Sequence, residues 1–427
     1  MTPLYQQDST VQDPIALEMG QEVEPSQDLE VVKALQKGGL EAWLKEETLG
    51  PSARSKILRL ARIKRNLLYN EGMQYLVKRY GADQVIADYA PLSLRDMEES
   101  GVDPSRVNDP VYNQVRSTGR KFLAALAQRA PNCAAEPLVE TDELQSAAAR
   151  VATKIVQALR KQWPTELLQR RIAFCIFIQG TPFAKVEWKV DRAKYGERTL
   201  TETIHQPGPE GEVEAIETKT TFANGFPEVD VFSEEEVTIP PIARNFSEEV
   251  TFLILSRDIR QGKILRKWPE ASKMLSKEPT SYTFTSGQHQ FRAALRGMAR
   301  TNYEEVVTAF IAPDEYPLVA RFMGQVKMDN GGQVSPMDFL DQEFPIGFQA
   351  HFIRNNLLAI EPASLTHTWA VGILDFSDVI LCDPLVNDFI QSQDALNTQC
   401  AIMHETLETG LPLTLVNEAE IGRASCR

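Results

Sequence analysis

The chain has 427 residues, of which 43% are hydrophobic and 24% charged, the composition of an ordinary folded protein. It has no run of about 18 apolar residues, and so no predicted membrane-spanning helix. The start of the sequence has no secretory signal, which predicts synthesis in the cytoplasm. The formal net charge of −14 differs from the basic balance typical of proteins that grip nucleic acids.

The N-terminal part is predicted to be a polar arm followed by helices. Residues 1–28 are acidic and contain three prolines, which favours a flexible arm. Residues 29–47 indicate a helix interrupted at Gly38 and Gly39. A long basic helix is predicted over residues 52–79. Its basic residues either form a solvated face or contact DNA or an acidic neighbour, and the candidates for that contact are Arg54, Arg59, Arg62 and Arg65.

Three further helices are predicted before the pattern changes, at residues 113–129, 142–162 and 166–178. The second carries an apolar stripe at helical spacing, formed by Leu144, Ala148, Val151, Ile155 and Leu159. The second half of the third is unusually apolar, which predicts that it is buried.

The middle of the chain changes to the alternation of strands. In FAKVEWKV, apolar Ala184, Val186, Trp188 and Val190 alternate with charged residues, which predicts a half-buried strand. Another charged strand is predicted near residues 212–222, and PEVDVFSEEEVTI and VTFLILSR follow. We expect an antiparallel sheet set against the preceding helices, which gives an α+β fold class.

The C-terminal part mixes both patterns. A helix is predicted near residues 258–277 and a short basic helix near 291–300. YEEVVTAFIA, LVARFMGQVKM and FQAHFI read as strands, with a hairpin turn at residues 330–332. Residues 383–407 are predicted to form a long helix.

No pattern of catalytic or metal-binding residues is recognisable. P-loop, GxGxxG, GxSxG and HExxH motifs are missing, and the five cysteines include no CxxC pair. Three consecutive glutamates, Glu234 to Glu236, are predicted to lie in a solvated loop, because neighbouring strand residues point to opposite faces. Asp375 and Asp378 favour a helix-capping role. The sequence therefore predicts no enzyme activity, no cofactor and no metal site.

Several segments, in order along residues 55–417, resemble the portal proteins of tailed bacteriophages. They begin with YNQVRSTGRKFLAALAQRAPNCAAEP, and continue with two helices and a glycine turn before FAKVEW. A strand, a proline-rich loop and a strand follow in PEVDVFSEEEVTIPPIARNFSEEVTFLILSR. The last segment has a Gln-x-x-Leu-Asn pattern at Gln393, Leu396 and Asn397, followed by Gly410 and Pro412.

The resemblance implies a portal-like fold with a mixed helix and antiparallel-sheet wing, stem helices and a small clip containing β-strands. By order along the chain, residues 1–50 would be the arm and a short helix, and 51–257 the wing. Residues 258–300 would contain the first stem helix, 301–360 the clip, and 361–419 the returning tunnel helix. Polar residues on that helix are candidates for the tunnel lining or a subunit interface, namely Gln391, Gln393 and Asn397.

The same resemblance implies a homo-dodecameric ring at the portal vertex of the virion, assembled in the host cytoplasm. Double-stranded DNA would pass through without sequence specificity, and the large terminase, capsid or scaffold proteins and neck proteins would dock on the ring. Apolar strands such as VVTAFIA would then find partners in neighbouring subunits. The alternatives are another phage head or neck structural protein, or a nucleic-acid-processing accessory protein.

The last eight residues, EIGRASCR at positions 420–427, continue no structural pattern. Their reverse translation in one frame matches a sequencing-adapter sequence. We therefore expect that they do not belong to the natural protein and that the crown region of a portal is missing.

Overall fold

The computed structural model describes residues 39–50, 54–79, 89–91, 111–128, 134–137, 143–190, 192–207, 213–275, 303–323, 326–327, 333–354, 356–373 and 378–409. Several predicted features lie outside these residues: the arm at 1–28, the basic helix near 291–300, the turn at 330–332, Asp375 and the tail at 420–427.

The helices agree with most of the helices predicted from periodicity. Their bounds are α1 (Gly39–Leu49), α2 (Arg54–Glu71), α3 (Gln114–Gln128), α4 (Glu143–Gln162), α5 (Thr165–Phe174), α6 (Arg192–Tyr195), α7 (Phe246–Glu249), α8 (Gln261–Lys267), α9 (Ser272–Leu275), α10 (Tyr316–Phe322), α11 (Pro336–Glu343), α12 (Leu365–Thr368) and α13 (Asn387–Thr409).

The strands are β1 (Val77–Arg79), β2 (Tyr89–Pro91), β3 (Phe183–Val190), β4 (Glu197–Pro207), β5 (Val213–Ala223), β6 (Gly225–Phe232), β7 (Val237–Thr238), β8 (Phe252–Arg260), β9 (Tyr303–Ile311), β10 (Val326–Lys327), β11 (Gln333–Val334), β12 (Phe348–Ile353), β13 (Asn356–Pro362) and β14 (Trp369–Val371). All described strand pairs are antiparallel. The predicted α+β class is confirmed at this level.

The main core is built on a five-stranded sheet of order β13-β12-β9-β8-β7. Trp43 of α1, Tyr316 of α10 and Phe339 of α11 pack in one buried cluster with this sheet. Phe310 of β9 belongs to a second cluster, which includes Phe183 of the three-stranded sheet β14-β3-β6. Helices and a second sheet therefore enclose the five-stranded sheet.

Strand β9 corrects one expectation. Its segment VVTAFIA was expected to be exposed and available to a neighbouring subunit. It lies instead between β8 and β12, and Val306, Ala309, Phe310 and Ile311 are buried. A nearly continuous apolar run, broken here only by Thr308, is typical of a strand buried on both faces.

The segment LVARFMGQVKM, predicted to be a strand, begins as helix α10, and only Val326–Lys327 near its end form a strand, β10. Pro317 lies in the first turn of this helix, where its missing N–H costs nothing. Tyr316 and Val319 are three residues apart and are both fully buried, which places them on one helical face. The Tyr316 hydroxyl donates to the Phe344 carbonyl oxygen at 2.6 Å and fixes the helix to α11.

A separate helical core joins the N-terminal and C-terminal parts of the chain. Residues of α2, α3 and α13 form it, together with a single π-helical turn at Cys175–Gln179 that follows α5. The predicted helix at 166–178 thus consists of α5 and this turn. Gly180 ends the turn at φ 107, where a β-carbon would lie 2.5 Å from Glu234 Oε1. Only glycine adopts this backbone without strain.

Candidate functional site

The predicted channel helix is α13, and the structure separates its three candidate residues. Gln393 is 2% exposed, and both ends of its amide are used inside the chain. Its Oε1 accepts from the Gln114 and Val115 backbone N–H groups at 2.9 and 3.2 Å, and its Nε2 donates to the Tyr112 carbonyl oxygen at 2.8 Å.

Gln393 therefore caps the first turn of α3, whose N–H groups have no partner within that helix. Its prediction as a tunnel-lining or interface residue is wrong, because its side chain does not reach a surface. Gln391 is exposed and Asn397 is half-buried. For these two residues the prediction stays untested.

The predicted basic contact face on α2 is occupied by groups of the same chain. Arg62 Nη1 lies 3.0 Å from Asp383 Oδ1, and Arg65 Nη2 donates to Asn387 Oδ1 at 2.7 Å. Arg59 Nε lies 3.7 Å from Glu234 Oε2. These three arginines contact distant segments of the same chain, and the predicted contact with DNA or an acidic neighbour stays a prediction. The fourth candidate, Arg54, is the first residue of the helix, and its side chain is not among those that the structure describes.

The glutamate turn between β6 and β7 is buried, and the prediction of a solvated loop is wrong. Glu234 and Glu235 are nearly inaccessible. Glu234 Oε1 accepts from the Thr181 N–H at 2.8 Å, and Glu235 Oε2 accepts from Gln179 Nε2 at 3.0 Å. The partners, Gln179 of the π turn and Thr181, lie on either side of Gly180, which no local pattern around residue 234 indicates.

Lys56 of α2 completes this buried charged cluster. Its Nζ donates to the Val237 carbonyl oxygen at 3.4 Å and to Thr238 Oγ1. Burial lowers the pKa of Lys56 to about 7, and burial raises the pKa of Glu234 to about 7. General acid–base catalysis would need access to a substrate, whereas these groups are enclosed and bonded to their own chain. Their geometry is that of a joint between α2 and the β6–β7 turn.

Helix α4, in contrast to α2, has an exposed apolar side. The apolar stripe predicted for it exists, but Leu144, Val151 and Ile155 are 82%, 56% and 53% exposed. Ala149 is its single buried residue among those described. No other described helix or strand packs extensively along α4. An aliphatic stripe on an amphipathic helix normally faces a core, whereas this one is exposed.

Strand β3 adds a second exposed apolar face. Val186, Trp188 and Val190 were predicted to be the half-buried side of the strand, and the structure places Trp188 55% exposed, with both valines also exposed. The strand itself is confirmed, but the burial of its apolar side is wrong. On the same strand Lys185 is largely covered, and its Nζ lies 5.0 Å from the centre of the Phe310 ring.

The helices α3, α4 and α5 are strongly basic in an acidic protein. Together they contain nine arginines and lysines and two glutamates, a net charge of +7, whereas the whole chain carries −14. Exposed members include Arg150, Lys154 and Lys161 of α4. The sequence interpretation placed the basic face on α2 and missed this one, although a count of charges along each predicted helix would have found it.

Strands β4 (Glu197–Pro207) and β5 (Val213–Ala223) pair as a two-stranded antiparallel ribbon. The two 11-residue strands pair along their whole length and with no other described strand. No other described helix or strand packs extensively on them. The sequence from residue 197 to residue 223 contains six glutamates, one arginine and one lysine, a net charge of −4. A two-stranded ribbon of this kind is only marginally stable alone in water.

Within the described ranges, no group of three or more His, Cys, Asp or Glu side chains could hold a metal ion. A search of the same ranges finds no helix with the length and apolar character of a membrane span. The sequence matches no model of a known protein family, and no curated protein is significantly similar to it.

Proposed function

We propose that the chain is a structural subunit of the portal ring of a tailed bacteriophage, and not an enzyme. The observation that carries the proposal is the exposed apolar stripe of α4. A 20-residue amphipathic helix whose apolar stripe is exposed presents a face suited to a permanent partner. The ordered resemblance of residues 55–417 to portal segments supports further copies of the same chain as that partner.

A closed ring requires two different faces on each subunit, because each copy contacts its neighbours head to tail. The chain offers more than one such face, since the stripe of α4 and the apolar side of β3 are both exposed. Permanent interfaces commonly bury upwards of about 2,000 Å². The exposed stripe of α4 and the apolar side of β3 supply apolar area for such an interface.

In this proposal residues 51–257 form the wing, 258–300 contain the first stem helix, 301–360 form the clip and 361–419 return along the tunnel. The ring is a dodecamer in the virion, and terminase, scaffold and neck proteins dock on it. Its acidic balance suits a conduit for double-stranded DNA, because like charge avoids strong attachment to phosphates.

Electron microscopy and mass measurement of the full chain at micromolar concentration test the proposal. We expect closed rings with a central channel. Ile155→Glu should abolish or strongly weaken them, because it places a charge on the stripe. Gln157→Glu adds the same charge on the opposite side of α4 and should leave the rings intact.

Two outcomes would contradict the proposal in different ways. A wild-type chain that stays monomeric would exclude a ring subunit. An oligomer without a closed channel would favour the alternative of another head or neck structural protein.

A further inference from the structure

We infer that a cavity between α3, α5 and the β6–β7 turn is a binding site for a small organic carboxylate, a molecule with one carboxylate group on a compact apolar body. The inference does not depend on the proposed function, because a ring subunit and a monomer would both contain this cavity.

The cavity has a volume of about 360 Å³. Sites for small molecules commonly have volumes of about 300–1,000 Å³, with mostly apolar walls and a few polar groups that fix the ligand. The walls come from α3, from α5 with the π turn that follows it, and from the end of β6 with its turn. The size and the construction of the cavity are therefore those of a site for a small ligand.

A buried hydroxyl without a partner is the first support. Ser233 lines the cavity and is 3% exposed, and its hydroxyl forms no hydrogen bond within the described part of the chain. Its N–H donates to Glu236 Oε2 at 3.3 Å, and its carbonyl oxygen accepts from the N–H groups of Glu236 and Val237, both at 3.0 Å. A buried polar group without a partner is unfavourable. Because these backbone bonds hold Ser233 in place, its hydroxyl is positioned to bond a polar group inside the cavity.

Charge is the second support. Arg170 and Arg171 line the same cavity and are exposed. Arg170 Nη2 lies 3.9 Å from Glu166 Oε2, which is beyond hydrogen-bond distance. Helices α3 and α5 together contain five basic residues and one acidic residue, a net charge of +4. This local charge favours an anion, and a guanidinium group binds a carboxylate through two parallel hydrogen bonds.

The lining also indicates how much charge the ligand carries. Its two arginines and Glu236 give a formal charge of +1. A single carboxylate neutralises this charge, whereas a doubly charged phosphate would leave an excess of negative charge next to Glu236. Electrostatic complementarity of this kind selects between ligands.

The apolar walls are the third support. Leu123, Phe174 and Val231 supply them, and Val231 is 4% exposed. The wall at the π turn is fixed, because Gln179 Nε2 donates to Glu235 Oε2 at 3.0 Å and Gln179 Oε1 accepts from the thiol of the same turn at 3.3 Å. A compact apolar body therefore enters a cavity that is formed before the ligand arrives.

Calorimetric titration of the full chain tests the inference with benzoate and isovalerate as probes. We expect at least one of them to bind saturably, with one site per chain. Its uncharged amide, benzamide or isovaleramide, should bind at least about tenfold more weakly, because it loses the charge-assisted hydrogen bonds to the arginines. Inorganic phosphate, which has no apolar body, should also bind more weakly than the carboxylate.

Variants identify the cavity as the site. Arg171→Gln should weaken binding of the carboxylate at least about tenfold and leave binding of the amide within about twofold. The control Arg120→Gln removes the same charge from an exposed position of α3 outside the cavity lining, and it should leave both affinities within about twofold.

Ser233→Ala separates ligand binding from stability. It should weaken binding of the carboxylate about fivefold, because the hydroxyl no longer donates to it. The melting temperature of the free chain should not fall, because the substitution removes a hydroxyl that has no partner in the described structure. A purely structural Ser233 would instead lower the melting temperature.

Several results would overturn the inference. They are the absence of saturable binding by both carboxylates at millimolar concentration, equal binding of a carboxylate and its amide, and phosphate binding as tight as that of the carboxylate. An equal loss of affinity in Arg120→Gln and Arg171→Gln would also overturn it, since the effect would then belong to the general charge of the helices. Circular dichroism of each variant establishes that weakened binding is not unfolding.

Discussion

Helices α2 and α4 are nearly equal in length, at 18 and 20 residues, and both combine aliphatic with basic side chains. The chain covers α2 almost completely: Leu60, Ile63 and Leu67 are buried, and Arg59 and Arg62 meet carboxylates from distant segments. It leaves α4 exposed. Two helices of similar composition can thus have different places in the same subunit. Helix α2 lies in the interior and α4 at the surface, and the difference lies in which other segments pack on them.

The largest expected effect tests this contrast with the same substitution in both helices. Ile63→Ala removes a fully buried side chain of α2 and should lower the free energy of unfolding by about 3 kcal/mol. Ile155→Ala on α4 should change it by less than about 0.5 kcal/mol in the unassembled chain. Urea unfolding at a concentration that prevents assembly measures both. Equal losses would remove the distinction between the helices.

A smaller effect is expected where α13 supports the first turn of α3. Gln393→Leu should cost about 2 kcal/mol, because it leaves the N–H groups of Gln114 and of the buried Val115 without their acceptor. Gln391→Leu makes the same exchange at an exposed position of α13 and should be nearly neutral. The same unfolding measurement applies. A neutral Gln393→Leu would mean that Gln393 has no structural role and would return it to the tunnel candidates.

The smallest effect is a pH dependence at the buried joint of α2. Burial raises the pKa of Glu234 from 4.5 to about 7, so the folded chain holds this proton more tightly than the unfolded chain. The resulting stability is complete below pH 4.5 and is lost as the pH rises through 7. Glu234→Gln has no proton to lose. Its melting temperature should therefore rise relative to that of the wild type by about 2 °C or more between pH 5 and pH 8.

The exposed Glu166→Gln is the matched control for this measurement, and its difference from the wild type should stay constant over the same range. A constant difference for Glu234→Gln as well would show that the carboxyl is not enclosed as described.

Local patterns predicted the helices and several strands because periodicity is a property of neighbouring residues. The spacing of Leu144, Val151 and Ile155 gave α4, and the alternation in FAKVEWKV gave β3. What covers each element depends on segments far along the chain. Glu234 is buried by residues near positions 59 and 180, and so its burial has no sign in the three-glutamate run.

The errors at the candidate site have the same origin. The arginines of α2 looked available because Asp383 and Asn387 lie more than 300 residues away in sequence. Strand β4 was not predicted, and neither was helix α10, where proline in the first turn was the overlooked signal. The portal-like arrangement of wing, stem and clip stays a proposal.

The contacts of α2 also constrain when the subunit can finish folding. Arg62 meets Asp383 across 321 residues of sequence, and the Tyr69 hydroxyl meets Asp394 across 325. At a synthesis rate of about 5–20 residues per second, the ribosome needs on the order of 15 to 60 s to deliver those partners. During that time the apolar side of α2 has no complete core to enter. We therefore expect α2 of the newly made chain to need protection, for example by a chaperone, until those partners are made.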